Sequence, residues 1–213
     1  MKFDDLLAIA SKQPFFETGL LLAGDVDPAD VRRQLSRWVQ TGRVIQLRRG
    51  LYTLAPPYQQ TQPHPFLIAN AMQSGSYVSL QSALAYYGLI PEYVAQTLSV
   101  TTQRPSRWNN RMGEFRFQHL ASHLFFGYQY ISFTPGQNVF IAFPEKAILD
   151  LVHLTPDGDN PTYLKGLRLQ NLESCDINRL QALARRAGKP KWLRAAATIS
   201  VLIKEEESSY TTI

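Results

Sequence analysis

Six arginines fall between positions 32 and 49, and no acidic residue occurs from Val31 to Pro91. A guanidinium presents a rigid fork of N–H donors that matches phosphate oxygens and the O6/N7 edge of guanine, and a glutamine amide matches adenine. Arg33, Ser36 and Gln40 therefore form one candidate set, for base edges, and Arg32, Arg37, Arg43, Arg48 and Arg49 a second, for phosphates or a narrow minor groove. A further set lies in TTQRPSRWNNRMG, where Arg104, Arg107 and Arg111 surround Trp108. Cations interleaved with an exposed aromatic can hold a phosphate backbone and stack a base, although a solvated loop with its indole folded inward fits the same letters.

Other reactive types are less promising. His119 and His123 have the i,i+4 spacing of a zinc pair, but no third ligand accompanies them. Lys146 and Asp150, one turn apart beside Glu145, match an ordinary surface ion pair worth a few tenths of a kcal/mol. No glycine-rich phosphate loop, GxSxG elbow or nuclease-like acidic cluster appears, so the expectation is a protein without catalysis, cofactor or metal. The lone Cys175 cannot form an internal disulfide.

The elements that must carry the arginines can be read around them. Asp27 suits an N-cap, Pro28 the first helical position, and Gly42 a left-handed stop. At about 100° per residue Val31, Leu35, Trp38 and Val39 share one side of this helix, and Ala29, Arg33, Ser36 and Gln40 the other, flanked by Arg32 and Arg37. Arg43 to Leu47 alternates as a strand, Arg48-Arg49-Gly50 makes a turn, and Leu51 to Leu54 runs back. A first helix over Lys2 to Ser11 and a short one capped by Thr18 and ending at Gly24 complete a winged helix-turn-helix, whose third helix enters the major groove. Such a unit also serves in other proteins as a docking module. If four or five arginines met phosphates, the log-log salt slope would be roughly −4 per monomer.

The chain of 213 residues, 45% hydrophobic and 18% charged, suits one ordinary domain plus a small one. Residues 1–55 are the expected DNA-binding unit and the proline- and glutamine-rich 56–65 a semi-extended linker; 66–204 form an α+β domain and 205–213 a frayed tail. In the larger domain, helices are expected over Phe66 to Met72, after Ser79 as cap, and from Pro144 to Leu154. Short strands at Leu98–Thr101, Glu114–His119, Tyr128–Phe133 and Val139–Phe143 imply a mixed sheet packed by helices. Two C-terminal helices, one capped by Asp176 and one over Lys191 to Lys204, carry a second acid-free basic block. That block could extend a DNA footprint, dock an acidic partner or simply be solvated. The net charge is +5, no apolar run is long enough to span a bilayer, and Asp4 and Asp5 stand where a signal peptide needs cations, so a cytoplasmic location is expected.

The order RVIQLRRGLYTL, SYVSLQSALAYYGLIPE, TLSVTT with a basic loop, FGYQYI and FPEKAILDLV, over roughly residues 3–155, resembles the AbiEi antitoxins of bacterial type IV toxin-antitoxin systems. The resemblance implies an N-terminal winged helix, a C-terminal antitoxin domain, and a repressor that binds its own operator as double-stranded DNA; because repressors often match their symmetry to the site, an inverted repeat is the expected form of that operator. It also implies a nucleotidyltransferase-like toxin as partner. An antitoxin acting mainly through protein contacts is the competing expectation.

Overall fold

Asp27 and Pro28 do start a helix. In the computed structural model, which describes residues 1–23, 26–134 and 136–210, the Asp27 carboxylate accepts the Ala29 N–H at 2.8 Å and opens α2, Pro28–Gln40. Before it come α1, Phe3–Ala10, the two-residue β1, Phe16–Glu17, and a 3-10 helix over Thr18–Leu22. The short helix expected to begin at a Thr18 cap is thus a 3-10 turn with Thr18 inside it; Thr18 Oγ1 donates to the Gly50 carbonyl at 3.5 Å instead. Gly24, its expected end, lies outside the described residues. After Gly42, which takes φ 71°, the chain forms β2, Val44–Arg48, and β3, Leu51–Leu54. Gly50, at φ 82°, makes the turn between them. The three strands make an antiparallel sheet in the order β1-β3-β2. Leu6, Phe16, Leu21, Val31, Leu35, Trp38, Val44 and Leu54 fill a small core.

The larger part is mixed α+β. It contains α3 (Pro65–Met72), β4 (Ser76–Val78), α4 (Leu80–Tyr86), β5 (Gln96–Thr101), β6 (Ser106–Asn110), β7 (Gly113–His119), β8 (Tyr128–Thr134) and β9 (Gln137–Ala142). Four helices follow: α5 (Pro144–Leu154), α6 (Pro161–Gly166), α7 (Ile177–Ala187) and α8 (Pro190–Tyr210). The sheet order is β6-β7-β5-β4-β9-β8, with β5/β7 and β4/β9 parallel and the other pairs antiparallel. α5 packs on α4, α7, α8 and β9, and is therefore buried on all sides.

Several expectations change. The basic stretch 104–111 is not a loop: Ser106–Asn110 pairs with β7 as an edge strand. The last helix continues to Tyr210, so the expected frayed tail is helical for most of its length and its final three positions lie outside the described residues. Residues 56–65, expected as a semi-extended linker, make contacts on both sides. Tyr58 packs edge-on against Phe3 at 4.9 Å, Gln60 N–H donates to the Ser11 carbonyl at 3.3 Å, and Gln137 holds both the Gln62 carbonyl, at 2.9 Å, and the His64 N–H, at 2.7 Å. The β2–β3 hairpin itself belongs to two cores. Val44 and Leu54 face the small one, whereas Ile45, Leu47 and Leu51 join the large one beside Ile68 and Met72. No helix of the described residues is long and apolar enough to cross a membrane.

Candidate nucleic-acid interface

The outer side of α2 is open. Val31, Leu35 and Trp38 are buried, and Arg32, Arg33, Ser36, Arg37 and Gln40 are exposed, so the helical wheel separates the two sides correctly. Arg33, 74% exposed, meets Asp30 one turn earlier through Nη2 and Oδ1. Among the described residues no other carboxylate pairs with an arginine of α2 or the hairpin. The face thus presents uncompensated guanidiniums to solvent. Arg43 is exposed at the base of the hairpin with its guanidinium 5.0 Å from the Phe3 ring centre.

The hairpin tip is less free than a projecting wing. Arg49 is exposed, but Arg48 is half-buried: Nη1 donates to the Arg49 carbonyl at 3.0 Å and Nη2 to the Ala71 carbonyl of α3 at 3.4 Å. Strand β6 runs alongside β2, tied by a 3.0 Å bond from Asn110 Nδ2 to the Leu47 carbonyl. Two sets of arginines that are far apart in sequence are thereby joined. Arg104 and Trp108 share a cleft with Arg48 and Arg49, while Arg111 reaches the stop of α2, its Nη1 3.6 Å from where a Cβ on Gly42 would stand. Arg107 leaves the group, since its Nη2 pairs with Glu114 at 3.0 Å on the opposite face of the β6–β7 ribbon.

The C-terminal basic block is largely spent within the protein. Arg179 lies against Glu145 at 3.5 Å and Asp176 at 3.8 Å, Arg194 against Asp159 at 2.7 Å, and Arg186 over the Phe126 ring at 4.1 Å. Lys191 donates to the Thr155 carbonyl, and Arg185 to Gln181 at 3.1 Å. Cations committed to carboxylates, carbonyls and rings of their own chain make a weak polyanion surface.

The histidine pair does not form a metal centre among the described residues, and His119 Nδ1 faces the Gln103 carbonyl at 3.0 Å. Lys146 and Asp150 are not the surface pair expected from their spacing. Both are 0% exposed. Nζ of Lys146 bonds to Asp150 Oδ1 and donates to Tyr77 OH at 2.7 Å, and Oδ2 of Asp150 accepts Tyr77 OH at 3.0 Å and Ser79 Oγ at 2.8 Å. Burial pushes Lys146 down and Tyr77 well up, with Asp150 opposing the first shift and adding to the second. Ser79, the expected cap of α4, makes no cap bond because its hydroxyl is used here. No local signal in the sequence gives this burial away, because Glu145, Lys146, Asp150 and His153 share one side of Pro144–Leu154, as they would on a surface helix. The mutual bonds of Lys146, Asp150, Tyr77 and Ser79 tie α5 to β4 and to the start of α4.

No protein-family model and no curated protein matches the sequence. Among solved structures, the crystal structure of the RV2827C protein from Mycobacterium tuberculosis has a similar fold, with a TM-score of 0.52 and 14% sequence identity over 94% of this chain and 80% of that one.

Proposed function

We propose that the protein is a sequence-specific duplex-DNA-binding repressor, with residues 1–55 acting as a winged helix-turn-helix. The observation that carries this reading is the solvent-facing, acid-poor side of α2, where Arg32, Arg33, Ser36, Arg37 and Gln40 stand exposed on a helix anchored by Val31, Leu35 and Trp38. The order of helix, short strand, helical turn, helix and hairpin with a three-stranded sheet supports it. In this reading α2 enters the major groove, Arg33, Ser36 and Gln40 meet base edges, and Arg32, Arg37, Arg43, Arg49 and Arg111 hold phosphates to either side. The resemblance to AbiEi antitoxins makes the protein's own operator the first DNA to test and a nucleotidyltransferase-like toxin the expected product of the neighbouring gene.

A mobility-shift titration at fixed salt, using the upstream DNA of its own gene against random DNA, tests the reading. Arg33→Ala costs about 1–3 kcal/mol on the cognate site and relaxes preference there. Arg49→Ala weakens both DNAs alike and lowers the salt slope by roughly one. Wild-type protein with no preference for the upstream DNA would overturn it.

A further inference from the structure

Between the tip of the β2–β3 hairpin and the start of β6 lies an open cleft of about 650 Å³, lined by Arg48, Arg49, Met72, Gln103, Arg104 and Trp108 among others. That volume falls within the roughly 300–1,000 Å³ of small-molecule sites. None of its lining residues is acidic, and three are arginines. Trp108 is 37% exposed, whereas Trp38 and Trp192 are buried in the two cores. Below them the floor is held in place: Gln73 donates to Thr101 Oγ1 at 3.2 Å and to the Arg104 carbonyl at 3.4 Å and accepts Ser106 Oγ at 2.6 Å, while Gln103 donates to the Ser74 carbonyl at 2.8 Å. Arg48 spends both Nη groups on carbonyls, which leaves its Nε buried without an acceptor.

We propose that this cleft binds a single nucleotide unit, an unpaired base stacked on the Trp108 indole with its phosphate held by Arg49 and Arg104. Stacking needs a free base face, which a paired and stacked duplex does not offer. The same chemistry is presented by a free nucleotide and by an unpaired strand. The site shares Arg49 with the proposed duplex surface, but Trp108 and Arg104 lie outside it, so the cleft stands whether or not α2 reads an operator.

Isothermal titration calorimetry of the full chain with adenosine monophosphate, with a single-stranded octadeoxyadenylate and with a blunt duplex tests the assignment. Saturable binding of the octamer or the mononucleotide is expected, lost about tenfold or more in Trp108→Leu and in Arg104→Ala and kept in Lys165→Ala, an exposed cation on α6. Comparable affinity for the mononucleotide identifies a free nucleotide as the ligand, and binding of the octamer alone identifies a strand. Unchanged thermal melting of Trp108→Leu separates lost stacking from lost folding. The proposal is overturned if neither ligand binds, if both cleft variants bind as the wild type does, or if the duplex binds as tightly as the octamer through these same residues.

Discussion

Arg33 is held to Asp30 in the free protein, and an exposed i,i+3 pair of this kind is worth no more than about 1 kcal/mol. A base edge can displace it at small cost, yet Asp30 also brings a negative charge to the surface proposed to meet phosphates. Asp30→Asn is therefore expected to tighten binding to all DNAs by up to roughly fivefold at low salt, an advantage that shrinks as salt rises; filter binding across a salt series checks this. His64 offers a second prediction. Burial holds its imidazole below the ordinary histidine value of 6.5, and its Nδ1 accepts the Phe66 N–H at 3.2 Å, which only the neutral ring can do. As pH falls below 6.5 the unfolded chain takes up the proton first, so stability is lost on acidification down to the folded value. His153, lowered mainly by burial, adds to the same slope. Melting temperatures measured from about pH 7.5 to pH 5 should fall, and His64→Asn, which retains a capping group, should flatten the decline.

At the scale of elements, α5 depends on a charge pair that its neighbours make tolerable. Asp150→Ala leaves the Lys146 ammonium buried without its counter-ion and is expected to cost about 3–5 kcal/mol. Lys146→Met combined with Asp150→Ala should cost less than the sum of the two single changes, as urea unfolding would reveal. The same helix shows where the sequence stopped being legible. Spacing and caps mark α1, α2, α3, α5 and α7 because each has a local start or an apolar periodicity: Asp27 before α2 and Asp176, which accepts the Asn178 N–H at 2.8 Å, before α7. Strands β5, β7, β8 and β9 are visible in their β-branched and aromatic residues. Strand β4 has only three residues, too few for any period, and β6 is made of Ser, Arg, Trp and Asn, whose place in a sheet comes from pairing with β7. Of the candidate site, the α2 face was legible from a helical wheel. The approach of Arg104, Trp108 and Arg111 to the hairpin was not, since it follows from tertiary packing of β6 beside β2. Burial of Lys146 likewise depends on Phe126 and Trp192, whose rings flank its Nζ at 5.7 and 5.1 Å.

For the whole molecule, the two cores are expected to melt together. The hairpin contributes Val44 and Leu54 to one and Ile45, Leu47 and Leu51 to the other, and residues 56–65 are bonded to both sides. Differential scanning calorimetry should show a single transition whose calorimetric and van't Hoff enthalpies agree, and two resolved peaks would refute the coupling. One practical outcome concerns anyone wishing to transplant the amino-terminal module. Cut after residue 55, the cassette would carry Ile45, Leu47 and Leu51 as a naked greasy flank and would tend to clump. A chimera that keeps the outer face of α2 must import the facing side of Ile68 and Met72 as well.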